Sequence, residues 1–396
     1  PYSIGYVHEA DIPVQYKLAE AFTVGDMYYE SIISSTAPNR VSWFSGTINP
    51  PKGSKVNGTN KYMGGPTLDN RDSVGCERTD SGKPFSCVPL RWKTVPEYLQ
   101  EAGISWRVYQ DKDNFGDDPL VMWKQYQTSA KKKGDLAQRG TSFPGLQKFF
   151  DDARDGKLPE VAYIVAPMQL SEHPPYMPMD GAWLQGEVAK AVMHGKNWDS
   201  TALIYSYDET GGWADHVVSP SPPQSEESEW IEDPYDKSNG ITPIGPGFRL
   251  PFYIVSPWTS GGHVFTEHAA HESQIMFLEQ WALAHGKPFT SEEIPTWRRE
   301  QLSDLVKAFD FSSKDTSVPE VPHVRKPSQD IFTGHFNGAD VCQAIHLKKV
   351  QPDIPYKKLN PSNSMEVNKG FKRLRGDVTE GRRLTFEAHN RALSHN

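Results

Sequence analysis

Segments with helical and strand-like patterns alternate along this chain, and the alternation is the strongest constraint on its fold. Three predicted helix–strand pairs share this order: 94–103 with 104–109, 144–154 with 161–166, and 187–193 with 202–207. Helices and strands that alternate with short joints favour a mostly parallel sheet that is covered by helices on both faces. The sequence therefore predicts an α/β fold, and large α/β proteins can fill 396 residues around one central sheet.

Other segments fit around this pattern. Residues 11–33 are predicted to be helical, because Asp11 and Pro13 resemble an N-cap followed by a first-turn proline. The segments 41–47 and 250–257 are predicted strands. Residues 271–284 carry the apolar face of an amphipathic helix.

Composition and charge exclude several classes of protein. A hydrophobic content of 37% with 11% aromatic residues is enough for a core, so the chain is not predicted to be disordered. The net charge of −8 and the lack of a basic stripe argue against a nucleic-acid partner. No apolar run is long enough to cross a bilayer, so no transmembrane segment is predicted.

A stretch rich in Gly, Pro, Asn, Ser and Lys at 49–89 is predicted to be a long surface excursion. Cys76 and Cys87 lie close together within it, and a disulfide between them is plausible, which leaves Cys342 over. Asn57 opens an Asn-Gly-Thr triplet that would be a glycosylation acceptor in a secreted chain.

The stretch 202–217 carries the most chemistry. Its first half is predicted to be a buried strand that delivers Asp208 and Glu209, a glycine pair, and then Asp215 and His216. The ends of strands in α/β sheets often carry functional groups, and two carboxylates there can hold a cation. The alternative is a strand end with a solvated acidic pair before a Gly-Gly turn.

Four further side chains are candidates for catalytic roles beside Asp208 and Glu209. Thr36 is a possible nucleophile if a metal ion held by Asp208 and Glu209 activates its hydroxyl. Asn39 can donate to charge that develops on the attacked atom, and His173 and His216 can move protons. Two of them have simpler alternatives, since Thr36 can be a turn residue and His173 an ordinary loop histidine. His271 is a further candidate, whose alternative is a helix cap.

The order of several short motifs resembles that of a known family. Taken together, they are similar to the phosphoesterase family of phosphatidylcholine-type phospholipases C and related acid phosphatases. The motifs are Thr36-Ala37-Pro38-Asn39-Arg40, Ser45-Gly46-Thr47, Glu172-His173-Pro174, Asp208-Glu209-x-Gly211-Gly212 with Asp215-His216-Val217, Arg249-Leu250-Pro251-Phe252 and Ser256-Pro257-Trp258. The resemblance runs on through His271-Glu272-Ser273, Trp297-Arg298-Arg299 and Asp304-Leu305, and so covers roughly residues 1–311.

This resemblance implies an alkaline-phosphatase-like α/β/α fold and a phospho-enzyme formed through a metal-bound Ser or Thr. Thr36 takes that position here, Asp208 and Glu209 take the positions of metal ligands, and His173 that of an active-site histidine. A threonine at this position favours a phospholipase C that cleaves the glycerol-side ester of phosphatidylcholine-like lipids. The resemblance also implies a divalent metal ion of unknown identity, secretion, and peripheral contact with a membrane surface.

Two alternatives stay open beside the phospholipase: an acid phosphomonoesterase, and a non-catalytic relic. The relic is considered because a Glu-Asn motif, which supplies two further metal ligands on the family's first strand, is not found in this sequence. We expect an N-terminally incomplete catalytic domain at 1–311, with an unpaired edge or a gap in its sheet. Residues 312–396 are expected to form a loop- or β-rich extension, whose motifs at 374–376 and 379–382 resemble fungal members.

Overall fold

The computed structural model describes residues 5–50, 64–69, 89–234, 236–346 and 384–385. The predicted Cys76–Cys87 disulfide, the triplet at Asn57 and the motifs at 374–382 lie outside these ranges. None of the described helices has the length and apolar character needed to span a bilayer.

Helices and strands alternate in the first two thirds of the described chain. The helices are α1 (Pro13–Ala21), α2 (Thr36–Ser45), α3 (Val95–Glu101), α4 (Lys124–Lys131), α5 (Asp135–Gly140), α6 (Leu146–Asp155), α7 (Pro178–Met193), α8 (His271–Ala284), α9 (Thr296–Gln301) and α10 (Gly338–His346). The strands are β1 (Thr23–Gly25), β2 (Trp106–Tyr109), β3 (Val161–Ile164), β4 (Leu203–Ser206), β5 (Trp230–Glu232), β6 (Ile241–Pro243), β7 (Phe252–Val255), β8 (His263–Phe265) and β9 (Leu384–Thr385). The chain is therefore a mixed α/β protein, as the sequence predicts.

The largest sheet is mixed, and the prediction of a mostly parallel sheet is wrong for the described strands. Its order is β4-β7-β1-β8-β9, and in it only β1 and β8 run parallel. A second sheet pairs β2 with β3 in parallel, and a third pairs β5 with β6 antiparallel. The described residues between β4 and β7 contain short 3-10 turns and strands but no α-helix, so the connection need not cross over and β7 can run antiparallel to β4.

Two predicted elements are wrong in type or extent. The segment 41–47 is not a strand but the second half of α2, whose Val41 and Phe44 lie three positions apart and are fully buried. The helix predicted over 11–33 ends at Ala21, because Phe22 turns to an extended conformation (φ −130°, ψ −167°) and leads into β1. In both cases tertiary burial overrides the local preference of the sequence.

A cleft of about 1160 Å³ lies beside the main sheet, and residues of the candidate site line it. It is lined by both β3 and β4, together with residues of α7 and α8. Among the described strands β4 is an edge of the main sheet and β3 pairs only with β2. Among the described strands, the cleft therefore lies between the β2–β3 sheet and the edge strand β4 of the main sheet.

Residues 312–346 pack against the body of the protein. Val324 is buried in the same apolar cluster as α1 and α7, and Phe336 contacts Trp183 with ring centroids 5.8 Å apart. The indole Nε1 of Trp198 donates to the carbonyl of Thr316 at 3.0 Å. The domain boundary at residue 311 stays a prediction.

Candidate functional site

The helix α2 places two polar side chains on one face at its beginning. Ser35 is extended (φ −81°, ψ −172°), and the helix begins at Thr36, which is buried. Arg40 follows four positions later and therefore lies on the same face as Thr36. The free N–H groups of a helix start favour an anion, so this end of α2 is suited to a phosphate group.

Arg40 joins two carboxylates from distant parts of the chain. Its Nε lies 2.8 Å from Oδ2 of Asp208, and its Nη2 lies 3.2 Å from Oδ2 of Asp117. Nη1 also donates to the backbone carbonyl of Asp117 at 3.1 Å. Burial alone would raise the pKa of Asp208, but the charge and hydrogen bond of Arg40 outweigh it and hold that pKa below its ordinary value.

Burial is the largest influence on the pKa of Asp117, the second carboxylate that Arg40 contacts. The pKa of Asp117 is raised, since the desolvation of its side chain exceeds the attraction of Arg40, and the charge of Asp208 adds to the rise. The guanidinium of Arg40 thus lies between two carboxylates whose pKa values differ: that of Asp117 is raised and that of Asp208 is lowered.

His271 fixes the backbone at the end of β4. It begins α8 and is 2% exposed; its Nε2 lies 2.8 Å from the carbonyl oxygen of Asp208, and its Nδ1 lies 2.8 Å from the hydroxyl of Tyr28. A carbonyl can only accept, so Nε2 carries the proton and Nδ1 accepts from Tyr28. Burial lowers the pKa of His271, which agrees with this neutral form.

Glu209 is turned back onto its own loop. Its Oε2 accepts from the N–H of Gly211 at 2.6 Å, and burial with the neighbouring charge of Asp208 raises its pKa. Gly211 (φ 61°) and Gly212 (φ 85°) both adopt the left-handed conformation that glycine favours. The glycine pair therefore makes the sharp turn after Asp208 and Glu209.

Glu172 connects the His173 loop to β4. Its carboxylate accepts from the hydroxyl of Tyr207 at 2.7 Å and from Nε2 of Gln185 at 2.8 Å, and burial raises its pKa to about 7. His173 is exposed and lies against the ring of Phe115, with centroids 5.0 Å apart. Its charge opposes, without reversing, the rise in the pKa of Asp117 and of Glu209, so His173 lies near the same cluster.

Glu30 is a further buried carboxyl near the acidic pair. It is 3% exposed, and its Oε1 accepts from the N–H of Phe248 at 3.1 Å. Burial, and to a smaller extent the charges of Glu209 and Asp208, raises its pKa to about 8. Glu30 thus holds the loop at 247–249 beside the turn that carries Glu209.

Comparison with protein families decides what this arrangement belongs to. The model of the phosphoesterase family matches residues 1–283. The chain belongs to the phosphoesterase family.

Curated relatives of this phosphoesterase are bacterial and plant proteins named phospholipase C. Over 383 residues it is 34% identical to a non-hemolytic phospholipase C of Pseudomonas aeruginosa, which covers 92% of this chain and 50% of that protein. A non-hemolytic phospholipase C of Burkholderia pseudomallei is 33% identical over 81% of this chain and 47% of its own length. Non-specific phospholipase C6 of Arabidopsis thaliana is 26% identical over 92% of this chain and 66% of its own length. The chain thus spans about half the length of the bacterial relatives that it matches.

Among solved structures, a crystal structure titled Ps i-CgsB aligns with 79% of this chain and 74% of its own, at 15% sequence identity. The TM-score of 0.41 is too low to carry an argument about the fold of the phosphoesterase.

The contacts of Asn39 differ from those that its predicted role requires. Its amide Nδ2 donates to the carbonyls of Ile32, Ser34 and Ser35 at 2.9–3.2 Å, and its Oδ1 accepts from the N–H of Ile32. Asn39 is fully buried, so its donors hold the turn that leads into Thr36 and do not face a substrate. The prediction that it stabilises charge on the attacked atom finds no support in this geometry.

His216 lies outside the contacts of the Arg40 cluster. Its side chain is 61% exposed, with Nδ1 at 3.6 Å from Oδ1 of Asp215. Asp215 is held by Arg249 through two hydrogen bonds of 2.7 and 2.9 Å, which outweigh its burial and lower its pKa to about 2. His216 is therefore the neighbour of Asp215, whose carboxylate forms an ion pair with Arg249. The predicted part of His216 in proton transfer stays a prediction.

Thr36, Asp208 and Glu209 are the predicted ligands of a divalent ion, and in the described part of the phosphoesterase both carboxylates already have partners within the protein. No group of three or more His, Cys, Asp or Glu side chains is arranged there to hold a metal. The Oδ2 atom of Asp208 is already engaged by Arg40, and the Glu209 carboxylate by Gly211. Water and substrate phosphate oxygens can complete the coordination of a hard cation, so the predicted divalent-ion site stays a prediction.

Sequence reasoning missed the partners of Arg40 and His271. Asp117 lies in a loop without a motif, and the helix-cap alternative for His271 does not account for its ring, which reaches the backbone of Asp208. The only available signal for Arg40 was its place in the Thr36–Arg40 motif, where i, i+4 spacing on a helix predicts a shared face.

Proposed function

We propose that this chain carries the nucleophile and the phosphate-binding groups of a phospholipase C-type phosphodiesterase. The observation that carries the proposal is the pairing of Thr36, at the first position of α2, with Arg40 on the same face, which is tied to Asp208. The relatives are named phospholipase C, which supports a phospholipid substrate and hydrolysis of its glycerol-side phosphate ester. Phosphatidylcholine-like lipids are the substrates that the family resemblance implies. Secretion and an alkaline-phosphatase-like fold are parts of the same proposal.

The helix start and Arg40 divide the work of binding. The N–H groups of the first turn of α2 point at the phosphate oxygens, except at Pro38, which has no N–H. The guanidinium of Arg40 offers a planar set of donors that suits phosphate oxygens and the negative charge of the transition state. Asp117 and Asp208 hold that guanidinium in place before substrate arrives.

The reaction then proceeds in two displacements. The hydroxyl oxygen of Thr36 forms a bond to phosphorus while the bond to the diacylglycerol oxygen breaks, and a protonated His173 gives its proton to the leaving oxygen. Glu209 takes the proton of Thr36, because its pKa is raised whereas the pKa of Asp208 is lowered. Water next attacks the phosphorus of the phospho-threonine while the bond between phosphorus and the Thr36 oxygen breaks. His173 takes a proton from the water, Glu209 returns its proton to Thr36, and the phosphorylated head group leaves. No step in this mechanism passes through a divalent ion.

Substitution of Thr36 tests the assignment. We expect Thr36→Ala to lower kcat by at least about a thousandfold, because the covalent route is lost, whereas Thr36→Ser keeps a nucleophile and measurable turnover. The measurement is release of p-nitrophenol from p-nitrophenylphosphorylcholine by the full-length protein. Undiminished turnover by Thr36→Ala would rule out the proposed nucleophile.

Two alternatives give different outcomes in the same assay. A phosphomonoesterase would prefer p-nitrophenyl phosphate to the choline diester, whereas the proposed diesterase prefers the diester. A non-catalytic phosphate-binding protein would bind phosphocholine in a calorimetric titration but hydrolyse neither ester. Titration with divalent ions, followed by metal analysis, tests the predicted metal site separately.

A further inference from the structure

Two adjacent apolar side chains project from a tight turn in the segment that follows α9. Ile331 is 88% exposed and Phe332 is 90% exposed, the largest exposures among the exposed large hydrophobic residues of the described chain. Single apolar residues on a surface are ordinary, but two neighbours at a turn tip leave a concentrated apolar area in water. We call Ile331 and Phe332 the apolar tip.

The turn that carries the apolar tip is fixed from within. The Oδ1 atom of Asp330 accepts hydrogen bonds from the N–H groups of Phe332 and Thr333, at 3.0 and 2.7 Å, and from the hydroxyl of Thr333 at 3.0 Å. The N–H of Gly334 donates to the carbonyl of Asp330 at 2.9 Å, and a β-bridge joins Gln329 to Phe336 below the turn. The apolar tip therefore lies on a turn whose backbone is ordered by these hydrogen bonds.

The base of the turn is packed onto the body beside the candidate site. Phe336 lies against Trp183 of α7, and Nδ1 of His335 lies 3.7 Å from Oδ2 of Asp113. The loop that begins at Asp113 continues to Phe115, which contacts His173, and to Asp117, which binds Arg40. The apolar tip is thus connected through a single loop to both the histidine and the arginine of the site.

We propose that the apolar tip inserts into the surface of a phospholipid bilayer and holds the rim of the site against the head groups. The inference relies on the proposed function only for the lipid nature of the substrate. Two side chains bury roughly 300–400 Å², far below the roughly 1,200–2,000 Å² of a stable protein–protein interface, so a protein partner is disfavoured. The same area is enough for reversible attachment to a membrane, where each apolar side chain gains by leaving water.

Charge indicates how the attachment responds to salt. The chain has a net charge of −8, so attraction to anionic lipids does not supply the binding. The apolar tip accordingly predicts binding to zwitterionic phosphatidylcholine vesicles that changes little between low and high ionic strength.

Co-sedimentation of the full-length protein with phosphatidylcholine vesicles tests the proposal. We expect the double substitution Ile331→Ser and Phe332→Ser to weaken vesicle binding by about tenfold or more, because most of the inserted apolar area is lost. The matched control is Leu283→Ser, which removes an apolar side chain of 61% exposure from α8. That control should bind vesicles like the unchanged protein. Turnover of soluble p-nitrophenylphosphorylcholine should be the same in all three proteins.

The outcomes separate this inference from the proposed function. Equal vesicle binding by the double variant and the unchanged protein, or binding that disappears at high salt, would overturn the apolar tip as the membrane contact. A double variant that changes the oligomeric state without vesicles would assign the tip to a protein contact and also overturn the proposal. Loss of vesicle binding in a protein that hydrolyses neither soluble ester would support the tip and reject the phosphodiesterase.

Discussion

Glu30 shows how a single buried carboxyl links the site to pH. Burial raises its pKa to about 8, whereas a glutamate in the unfolded chain titrates near 4.3. Between these two values the folded state holds a proton that the unfolded state has released. The stabilising effect is therefore complete below about pH 4 and is lost as the pH rises toward 8.

Glu30→Gln should remove this dependence. Glutamine keeps an oxygen that can accept from the N–H of Phe248 but cannot ionise. Between pH 5 and pH 8 we expect the unchanged protein to lose on the order of 1–3 kcal/mol more unfolding free energy than Glu30→Gln. Urea denaturation at both pH values measures this difference. The exposed Glu320→Gln serves as the control, and parallel pH dependence of Glu30→Gln and the unchanged protein would contradict the prediction.

The sequence predicted side chains of the site better than it predicted their contacts. Asp208 and Glu209 stand out because a short apolar strand precedes them and a Gly-Gly turn follows. The ion pair of Arg40 with Asp208 joins residues 168 positions apart, and no local pattern encodes such a distance. The hydrogen bonds of Asn39 to the turn could not be foreseen, because an amide beside a candidate nucleophile has the same sequence signal whether it faces a substrate or a backbone turn.

At the scale of elements, α2 depends on the glycine that ends it. Gly46 has a φ of 86°, and a Cβ added there would collide with the side chain of Ile294. Because α2 carries both Thr36 and Arg40, the end of this helix also affects the beginning that forms the site.

Gly46→Ala should therefore destabilise the protein by about 2–4 kcal/mol, from left-handed strain and overpacking together. Gly103→Ala is the matched control: Gly103 has a φ of 72° after α3, but a Cβ there meets nothing within 4 Å. The control should cost only about 1 kcal/mol. Equal midpoints of thermal unfolding for the two variants would show that the Ile294 contact contributes nothing.

The helices and strands that the sequence predicts well have sequence patterns that mark where they begin and where they end. The helix predicted at 271–284 is α8, with unchanged bounds, and the strand predicted at 202–207 contains β4. The strand predicted at 41–47 failed because Val41, Trp43 and Phe44 favour strands in isolation, while their burial against α8 favours a helix. Gly46 does mark the end of a secondary-structure element, but that element is the helix α2 and not a strand.

At the scale of the whole molecule, a buried ion-pair network joins three separate parts of the chain. The guanidinium of Arg298, in α9, makes two hydrogen bonds of 2.9 Å to Glu229 and one of 2.8 Å to Glu272 of α8. Glu272 also accepts from the hydroxyls of Ser31 and Ser42. All of these side chains are buried, so none can exchange its partner for water.

Arg298→Met should cost about 3–5 kcal/mol of unfolding free energy, because two buried carboxylates lose their cation. Lys307→Met is the control; its pair with Glu267 is 77% and 40% exposed and should change stability by no more than about 0.5 kcal/mol. If Arg298→Met does not fold, the triple variant with Glu229→Gln and Glu272→Gln should recover folded protein. A single variant as stable as the control would disprove the role of the network.

The architecture was the least predictable part of the protein. Alternation predicted the α/β class, but strand direction depends on the path between strands, and the β4–β7 connection has loops and short β-strands where a crossover helix was expected. The separation of β3 from β4 by the cleft could not be located from periodicity, since both strands have the same apolar character.

The position of β1 in the sheet has a consequence for how the protein is made. β1 pairs with β7 and β8, and the hydroxyl of Thr23 donates to the carbonyl of Thr259, 236 positions further along the chain. At a synthesis rate of about 5–20 residues per second, the ribosome needs on the order of 10–50 s to reach the partners of β1. During that interval the neighbouring α1 cannot dock on the finished sheet, and its apolar face is available to chaperones. Folding of this protein is therefore expected to finish late, after β8 leaves the ribosome.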